Sequence, residues 1–226
     1  LNVIPLKWER LALAFLFALA LKSLILFFLV RLGVQPTTDI QLGSSILVLV
    51  SALFFFPKSN GKEITLPDQR TGLIWLTWSV VGVLFLFSIV NAWFFPITES
   101  DAIWYHIRGM SFFNEVRFDS EWVVPQLKQY PPFIPLLFTY LIAFDAEFLK
   151  IFFPLMYLSL NIIFYSRILS LTENKKMACL FTLVLATTPY FWWHGALPFL
   201  DLTTAVFYST GALYWYSWIQ NKVEGA

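Results

Sequence analysis

The stretch from Glu99 to Leu137, ESDAIWYHIRGMSFFNEVRFDSEWVVPQLKQYPPFIPLL, separates two groups of long apolar runs. It carries five carboxylates, three cations and one histidine, whereas the preceding run, Leu73 to Phe95, has no charged residue. A charged segment that follows an uncharged run of ~20 residues is typical of a chain leaving a membrane. We therefore expect polar chemistry to begin here, with Asp101 half shielded from water where its carboxylate can be tuned.

The residues after Ser100 can be drawn as one helix, with Glu99 or Ser100 near the N-cap. Asp101 then lies in the first turn, where the helix dipole favours an anion. One face of this helix is polar and another is apolar: Asp101, Tyr105 and Arg108 against Ile103, Ile107 and Met110. This pattern predicts a helix that lies along the bilayer surface and holds Asp101 at the head of a groove.

The composition is that of an integral membrane protein. Of the 226 residues, 58% are hydrophobic and only 13% are charged, far from the average of soluble proteins. The net charge of +1 argues against a nucleic-acid partner, because no basic stripe is available to neutralise phosphates. Cys179 is the single cysteine, which excludes a disulfide framework within the chain and predicts a small buried side chain.

The apolar runs predict an all-α fold, a polytopic membrane helical bundle with about six transmembrane helices and interfacial helices in the first large outer loop. Residues 1–72 form an amino-terminal hairpin and a cytoplasmic loop, and residues 73–226 form a second module with the outer loop at 96–146. The six predicted spans are Leu11–Val30, Leu42–Phe56, Leu73–Phe95, Phe148–Tyr165, Met177–Trp193 and Leu202–Ile219.

Basic residues predict the orientation. Lys7 and Arg10 before the first span, and Lys58, Lys62 and Arg70 before the third, place these segments in the cytoplasm. The segment from Pro131 to Phe144 has only about fourteen apolar residues and opens with prolines, so it is expected not to cross. The next span then brings Arg167, Lys175 and Lys176 to the cytoplasmic side, and Asp201 lies on the same outer face as Asp101.

Two further features concern the amino-terminal part and the chain as a whole. Lys22 is the only charge inside the first span, and it either snorkels to the interface or faces a neighbouring helix. The chain begins at Leu1 and ends shortly after an apolar run, from which we expect a fragment of a longer polypeptide.

From about Leu73 to Trp218 the order of motifs resembles the GT-C membrane glycosyltransferases, in particular the protein O-mannosyltransferase and aminoarabinose transferase branch (glycosyltransferase family 39-like). The motifs are an acidic-to-tyrosine sequence after a span, the sequence YPPFIPLL, a span with a basic inner end and an outer aspartate that opens a later span. The resemblance implies sugar transfer from a polyprenyl-phosphate carrier to a lipid, glycan or protein acceptor on the outer face of the cell membrane.

By this resemblance, Asp101 and Asp201 match the acidic positions of the first and second outer loops and are the predicted catalytic residues. The sequence departs from many family members at Ala102, where they carry a second acid, and at Tyr130, where some carry a glutamate. A divalent metal cofactor therefore remains open, with Asp101 and Asp201 as its only candidate ligands.

Sugar transfer needs a base for the acceptor proton and groups that bear the charge of the leaving phosphate. Asp101 is the predicted base. The predicted substrate-binding residues lie in the same outer segments: Tyr105, His106, Arg108, Lys128, Tyr130 and His194.

Simpler interpretations accompany each of these residues. Asp101 and Asp201 can be helix caps, both histidines can be interfacial hydrogen-bonding groups, and Tyr130 can mark a helix start. At the level of the whole protein, the alternatives are a non-catalytic subunit of the same fold or, less favoured, a transporter. A transporter needs ionisable groups within its spans, and only Lys22 and Lys150 qualify.

Overall fold

The structure is a computed structural model that describes residues 7–55, 72–118, 130–146 and 150–224. The described residues form nine helices and no strand. In chain order the helices are α1 (Lys7–Arg31), α2 (Thr38–Phe55), α3 (Gly72–Phe94), α4 (Ser100–Asn114), α5 (Phe133–Ile142), α6 (Phe152–Thr172), α7 (Lys175–Thr187), α8 (Pro189–His194) and α9 (Leu200–Glu224). The predicted all-α fold is confirmed for this part of the chain.

Three helices, α1, α3 and α6, are long and apolar enough to cross a membrane. On α3, Trp75 and Trp93 are both exposed, and the helical rise of 1.5 Å per residue places them about 27 Å apart along the axis. That spacing is close to the thickness of the hydrocarbon core, and tryptophan is enriched at both membrane interfaces. The chain is therefore a helical membrane protein.

The long helices alternate in direction, so that their ends form two groups. At one end, called here the acidic end, the Lys150 ammonium near the start of α6 donates to Asn91 Oδ1 near the end of α3, over 2.7 Å. At the opposite end, called the basic end, Trp78 of α3 packs edge-on against Tyr165 of α6. Because α4, α5, α8 and the start of α9 all lie near the acidic end, polar residues that are distant in sequence are brought together there.

Helices α4 and α5 pack against each other through Gly109. A Cβ at Gly109 would lie 2.8 Å from the carbonyl oxygen of Pro135 and 2.8 Å from Phe138 Cβ, which only glycine avoids. Thr139 Oγ1 donates to Gly109 O over 3.0 Å. Helix α5 has only ten residues, about 15 Å of length, so it is too short to cross a bilayer, as its prolines and length predicted.

Helix α4 begins as predicted, with Glu99 as its N-cap and Asp101 in its first turn. The orientation of α4 differs from the predicted one. The face that bears Tyr105 and Arg108 is buried against the rest of the protein. Ile103 and Met110, on the apolar face, are exposed. The close approach at Gly109 turns the polar face inward and leaves the apolar face outward.

Lys22 does not snorkel; it faces a neighbouring helix, the second of the two predicted arrangements. Its Nζ donates to Gln41 O over 2.6 Å and to Ser45 Oγ over 3.0 Å, and it also contacts Ser44 Oγ. The ammonium lies over the ring of Tyr140, 4.6 Å from its centroid. The Lys22 ammonium therefore finds its hydrogen-bond acceptors within the protein, and its contacts join α1 to α2 and α5.

Arg167, which was predicted on the cytoplasmic side of a span, is at the basic end. It lies inside α6 with no exposed surface, paired with the equally buried Glu9 of α1. Arg167 Nε lies 2.6 Å from Glu9 Oε1, and the same carboxylate accepts hydrogen bonds from Ser166 and from Tyr214 of α9. Helix α6 continues to Thr172, beyond the end of the predicted span at Tyr165.

The predicted span from Met177 to Trp193 is interrupted rather than one continuous helix. Helix α7 ends at Thr187, and Pro189 starts the separate short helix α8. Proline has no N–H for a helical hydrogen bond, and it holds the preceding residue in an extended conformation. Thr188 accordingly has ψ 115°. The break separates α8 from α7, and α8 lies at the acidic end.

Candidate functional site

Tyr105 of α4 is the centre of the polar cluster at the acidic end. Burial raises its pKa to about 12, with further contributions from Asp101, Tyr130 and Asp201. Because an exposed charge acts over little more than ~10 Å in salt solution, Asp101 and Asp201 both lie in the same region of the protein as the Tyr105 phenol. A pKa of about 12 keeps this phenol protonated at neutral pH, as a hydrogen-bond donor.

The segment before α5 contributes Tyr130, whose ring packs edge-on against Tyr105 with 6.4 Å between centroids. Arg108, 3% exposed, donates from Nη1 to the carbonyl oxygen of Tyr130 over 2.8 Å, and its guanidinium lies over the ring of Phe112. In this arrangement Arg108 fixes the position of Tyr130. Its predicted contact with a phosphate remains a prediction.

Asp201, in the first turn of α9, lies next to two residues of α8. Tyr190 donates from its hydroxyl to Asp201 Oδ2 over 3.1 Å, and this hydrogen bond raises the pKa of Tyr190. His194 Nε2 lies 3.7 Å from the same oxygen. His194 Nδ1 lies 2.7 Å from Tyr190 O, which can only accept, so Nδ1 carries the proton and Nε2 faces Asp201.

Neither aspartate is an N-cap residue. The N-cap of α4 is Glu99, and Asp201 is the second residue of α9. Both carboxylates are exposed, Asp101 beside Tyr105 and Asp201 beside Tyr190. Neither aspartate therefore acts as an N-cap, although both lie in the first turn of a helix, where the helix dipole favours an anion.

An apolar groove of about 440 Å³ lies beside this cluster, between α1, the start of α5 and α9. It reaches Pro131 and Pro132, next to Tyr130, and its walls are almost entirely apolar: Ala20, Ser23, Leu24, Phe27, Pro131, Pro132, Phe133, Leu136 and Phe207. Leu24 is half exposed at its edge. An apolar groove that opens beside a polar cluster suits a molecule with a hydrocarbon tail and a polar head.

The other predicted substrate-binding residues lie elsewhere or outside the described part of the chain. His106 packs edge-on against Phe138, with 5.5 Å between ring centroids, and lines a separate pocket with Lys150. Burial lowers the pKa of His106, so the neutral form dominates at pH 7. Lys128 lies outside the described residues.

The residues near Asp201 provide few ligands for a metal ion. His194 Nε2 and Asp201 Oδ2 are two neighbouring donor atoms, whereas structural and catalytic zinc sites take at least three from the protein. Within residues 7–55, 72–118, 130–146 and 150–224, no three His, Cys, Asp or Glu side chains form such a cluster. We therefore derive no catalytic step through a metal.

Sequence reasoning did not identify Tyr190 as a functional candidate. Its contact with Asp201 depends on the helix break at Pro189, and that proline was the available signal.

No protein-family model, curated protein or solved structure matches this chain. The class that the fold and the cluster define is therefore a helical membrane protein with an acidic, tyrosine-centred site next to an apolar groove.

Proposed function

We propose that this protein is a membrane glycosyltransferase that moves a sugar from a polyprenyl-phosphate carrier to an acceptor hydroxyl on the outer face of the cell membrane. The observation that carries the proposal is that Asp101 and Asp201, one hundred residues apart, both act on Tyr105 beside an apolar groove. The groove would hold the first isoprene units, and the polar cluster would surround the sugar and its phosphate. The order of motifs from Leu73 to Trp218 resembles that of GT-C enzymes and favours the same class.

In the proposed reaction, the acceptor hydroxyl displaces the polyprenyl phosphate from the sugar. The acceptor oxygen attacks the anomeric carbon, Asp101 takes the acceptor proton, and the bond between the anomeric carbon and the phosphate oxygen breaks. The electron pair of that bond leaves with the polyprenyl phosphate. Asp201 stabilises the positive charge that develops on the sugar, and the protonated phenol of Tyr105 donates a hydrogen bond to the reacting groups.

The proposal includes a finer topology. Six passages cross the membrane, formed by α1, α2, α3, α6, the pair α7 and α8, and α9, with the acidic end outside. What supports it is the distribution of cations, because Lys7, Arg10, Lys175 and Lys176 all lie at the ends of helices opposite to Asp101 and Asp201. Positive residues are retained in the cytoplasm.

The proposal is tested by transfer from a labelled polyprenyl-phosphate sugar, with the full-length protein in liposomes and an extract of membrane lipids and glycans as acceptor. We expect transfer of label to an acceptor, and none without the protein. Absence of transfer with every donor sugar and acceptor fraction would favour the non-catalytic subunit.

The groove gives a sharper prediction. Leu24→Trp places a large side chain at the edge of the groove, and we expect the KM for a long-chain donor to rise about tenfold, because about two buried methylenes lose their contacts at ~0.8 kcal/mol each. A donor with a short, water-soluble chain should show little change in KM. Leu11→Trp is the matched control, since Leu11 is equally exposed on α1 but does not line the groove. Equal effects of the two variants on the long-chain donor would contradict a prenyl site there.

A further inference from the structure

A second pocket at the acidic end is separate from the Tyr105 cluster. It has a volume of about 390 Å³ and lies between the end of α3, the start of α4 and the residue Lys150. Most of its wall is apolar, and the side chains of one histidine and one lysine complete it. The lining residues are Ala92, Phe95, Pro96, Ile97, Ile103, His106 and Lys150. The apolar groove described above lies between α1, α5 and α9 and shares none of these residues.

Lys150 is the charged group of this pocket, and it is 2% exposed. Its Nζ donates to Asn91 Oδ1 over 2.7 Å and approaches Pro96 O at 3.4 Å, two neutral acceptors for an ammonium that has three N–H donors. Among the described residues, Glu99 is the acid whose charge acts on Lys150, yet burial outweighs it and lowers the pKa of Lys150. A buried cation held by neutral oxygens gains most from an anion that enters the pocket.

The position of the pocket relative to the membrane indicates the source of that anion. Helix α3 is a candidate membrane-spanning helix that ends at Phe94, so the pocket lies where the headgroups of the surrounding lipids begin. Phe95 and Ile103 line the pocket and are exposed, and Phe94, next to Phe95 in the chain, is exposed as well, as expected for side chains beside acyl chains. Half-buried His106 offers a neutral imidazole N–H, which can donate to a phosphate oxygen.

From these contacts we infer that the pocket lined by Lys150 and His106 binds the phosphate group of a membrane phospholipid, with the lipid's acyl chains along Phe94, Phe95 and Ile103. Lys150 supplies the charge-assisted hydrogen bond and His106 a second donor. This lipid is bound in addition to any sugar donor, because the pocket shares no lining residue with the apolar groove. The inference does not depend on the proposed sugar transfer.

Native mass spectrometry of the full-length protein in an uncharged detergent tests the inference. The probe is phosphatidylglycerol, compared with a diacylglycerol that has the same acyl chains and no phosphate. We expect one tightly bound phosphatidylglycerol per chain and no comparable binding of diacylglycerol. Equal binding of the two lipids would overturn the inference, and so would displacement of phosphatidylglycerol by low millimolar inorganic phosphate, which would assign the site to a free anion.

Substitutions localise the lipid. Lys150→Met keeps the length of the side chain and removes its charge, so we expect binding to weaken about tenfold or more, the loss of one charge-assisted hydrogen bond. Lys150→Arg should bind within a few-fold of the wild type. Lys176→Met is the matched control, because Lys176 is exposed at the basic end, and should leave binding unchanged. If Lys150→Met unfolds, the Lys150→Arg and His106→Ala variants decide: undiminished binding by His106→Ala, or loss of binding by a folded Lys150→Arg, would overturn the assignment.

Discussion

Replacing Arg167 with methionine should lower the free energy of unfolding by ~3–5 kcal/mol, because it leaves the carboxylate of Glu9 charged and buried without its cation. Both side chains have no exposed surface, so water cannot replace the lost partner. The pair also joins α1, α6 and, through Tyr214, α9, and the loss should loosen all three contacts. Unfolding by a denaturing detergent in mixed micelles, followed by circular dichroism, measures the change.

A double-substitution cycle separates the ion pair from simple packing. Glu9→Gln combined with Arg167→Met removes both charges, so this double variant should be more stable than Arg167→Met alone. Arg31→Met is the matched control, because Arg31 is exposed at the end of α1 and its loss should change stability by no more than ~0.5 kcal/mol. The single variant Glu9→Gln completes the cycle, and strictly additive effects of the two substitutions in the double variant would mean that Glu9 and Arg167 are not coupled.

Asp101→Asn should reduce kcat/KM for sugar transfer by about 10²- to 10⁴-fold, the typical contribution of a general base. Asparagine keeps the size of the side chain and cannot take the acceptor proton, so the variant should remain folded and still bind the donor. Asp145→Asn is the matched control: Asp145 is exposed with a φ of 49°, a conformation that asparagine tolerates well. Unchanged transfer by Asp101→Asn would remove Asp101 from the proposed mechanism.

The long helices are predictable from the sequence because apolar runs of membrane length have few alternatives. Helices α1, α2 and α3 lie within a few residues of the predicted spans. The later part of the chain differs at two places: Pro189 divides a predicted span into α7 and α8, and Arg167 within α6 is buried in an ion pair with Glu9 of α1. Proline is visible in the sequence, whereas a contact between residues 158 positions apart is not.

The candidate site was predictable in part for the same reason. Alternation of helix direction predicted that Asp101 and Asp201 lie at the same end, and the structure agrees, because both charges act on Tyr105. The side on which each α4 residue lies depended on the close approach at Gly109, which periodicity does not reveal. His106 therefore faces the pocket of Lys150 instead of the cluster around Tyr105.

The most direct test concerns the side of the membrane on which the two aspartates lie. Asp101→Cys and Asp201→Cys would be labelled in intact cells with a membrane-impermeant maleimide, against a low background because Cys179 is buried. Lys176→Cys reports on the basic end. We predict that both aspartate positions are labelled before permeabilisation and Lys176→Cys only afterwards. Labelling of Asp101→Cys and Asp201→Cys from opposite sides, or of both only after permeabilisation, would contradict an outward-facing site shared by the two carboxylates.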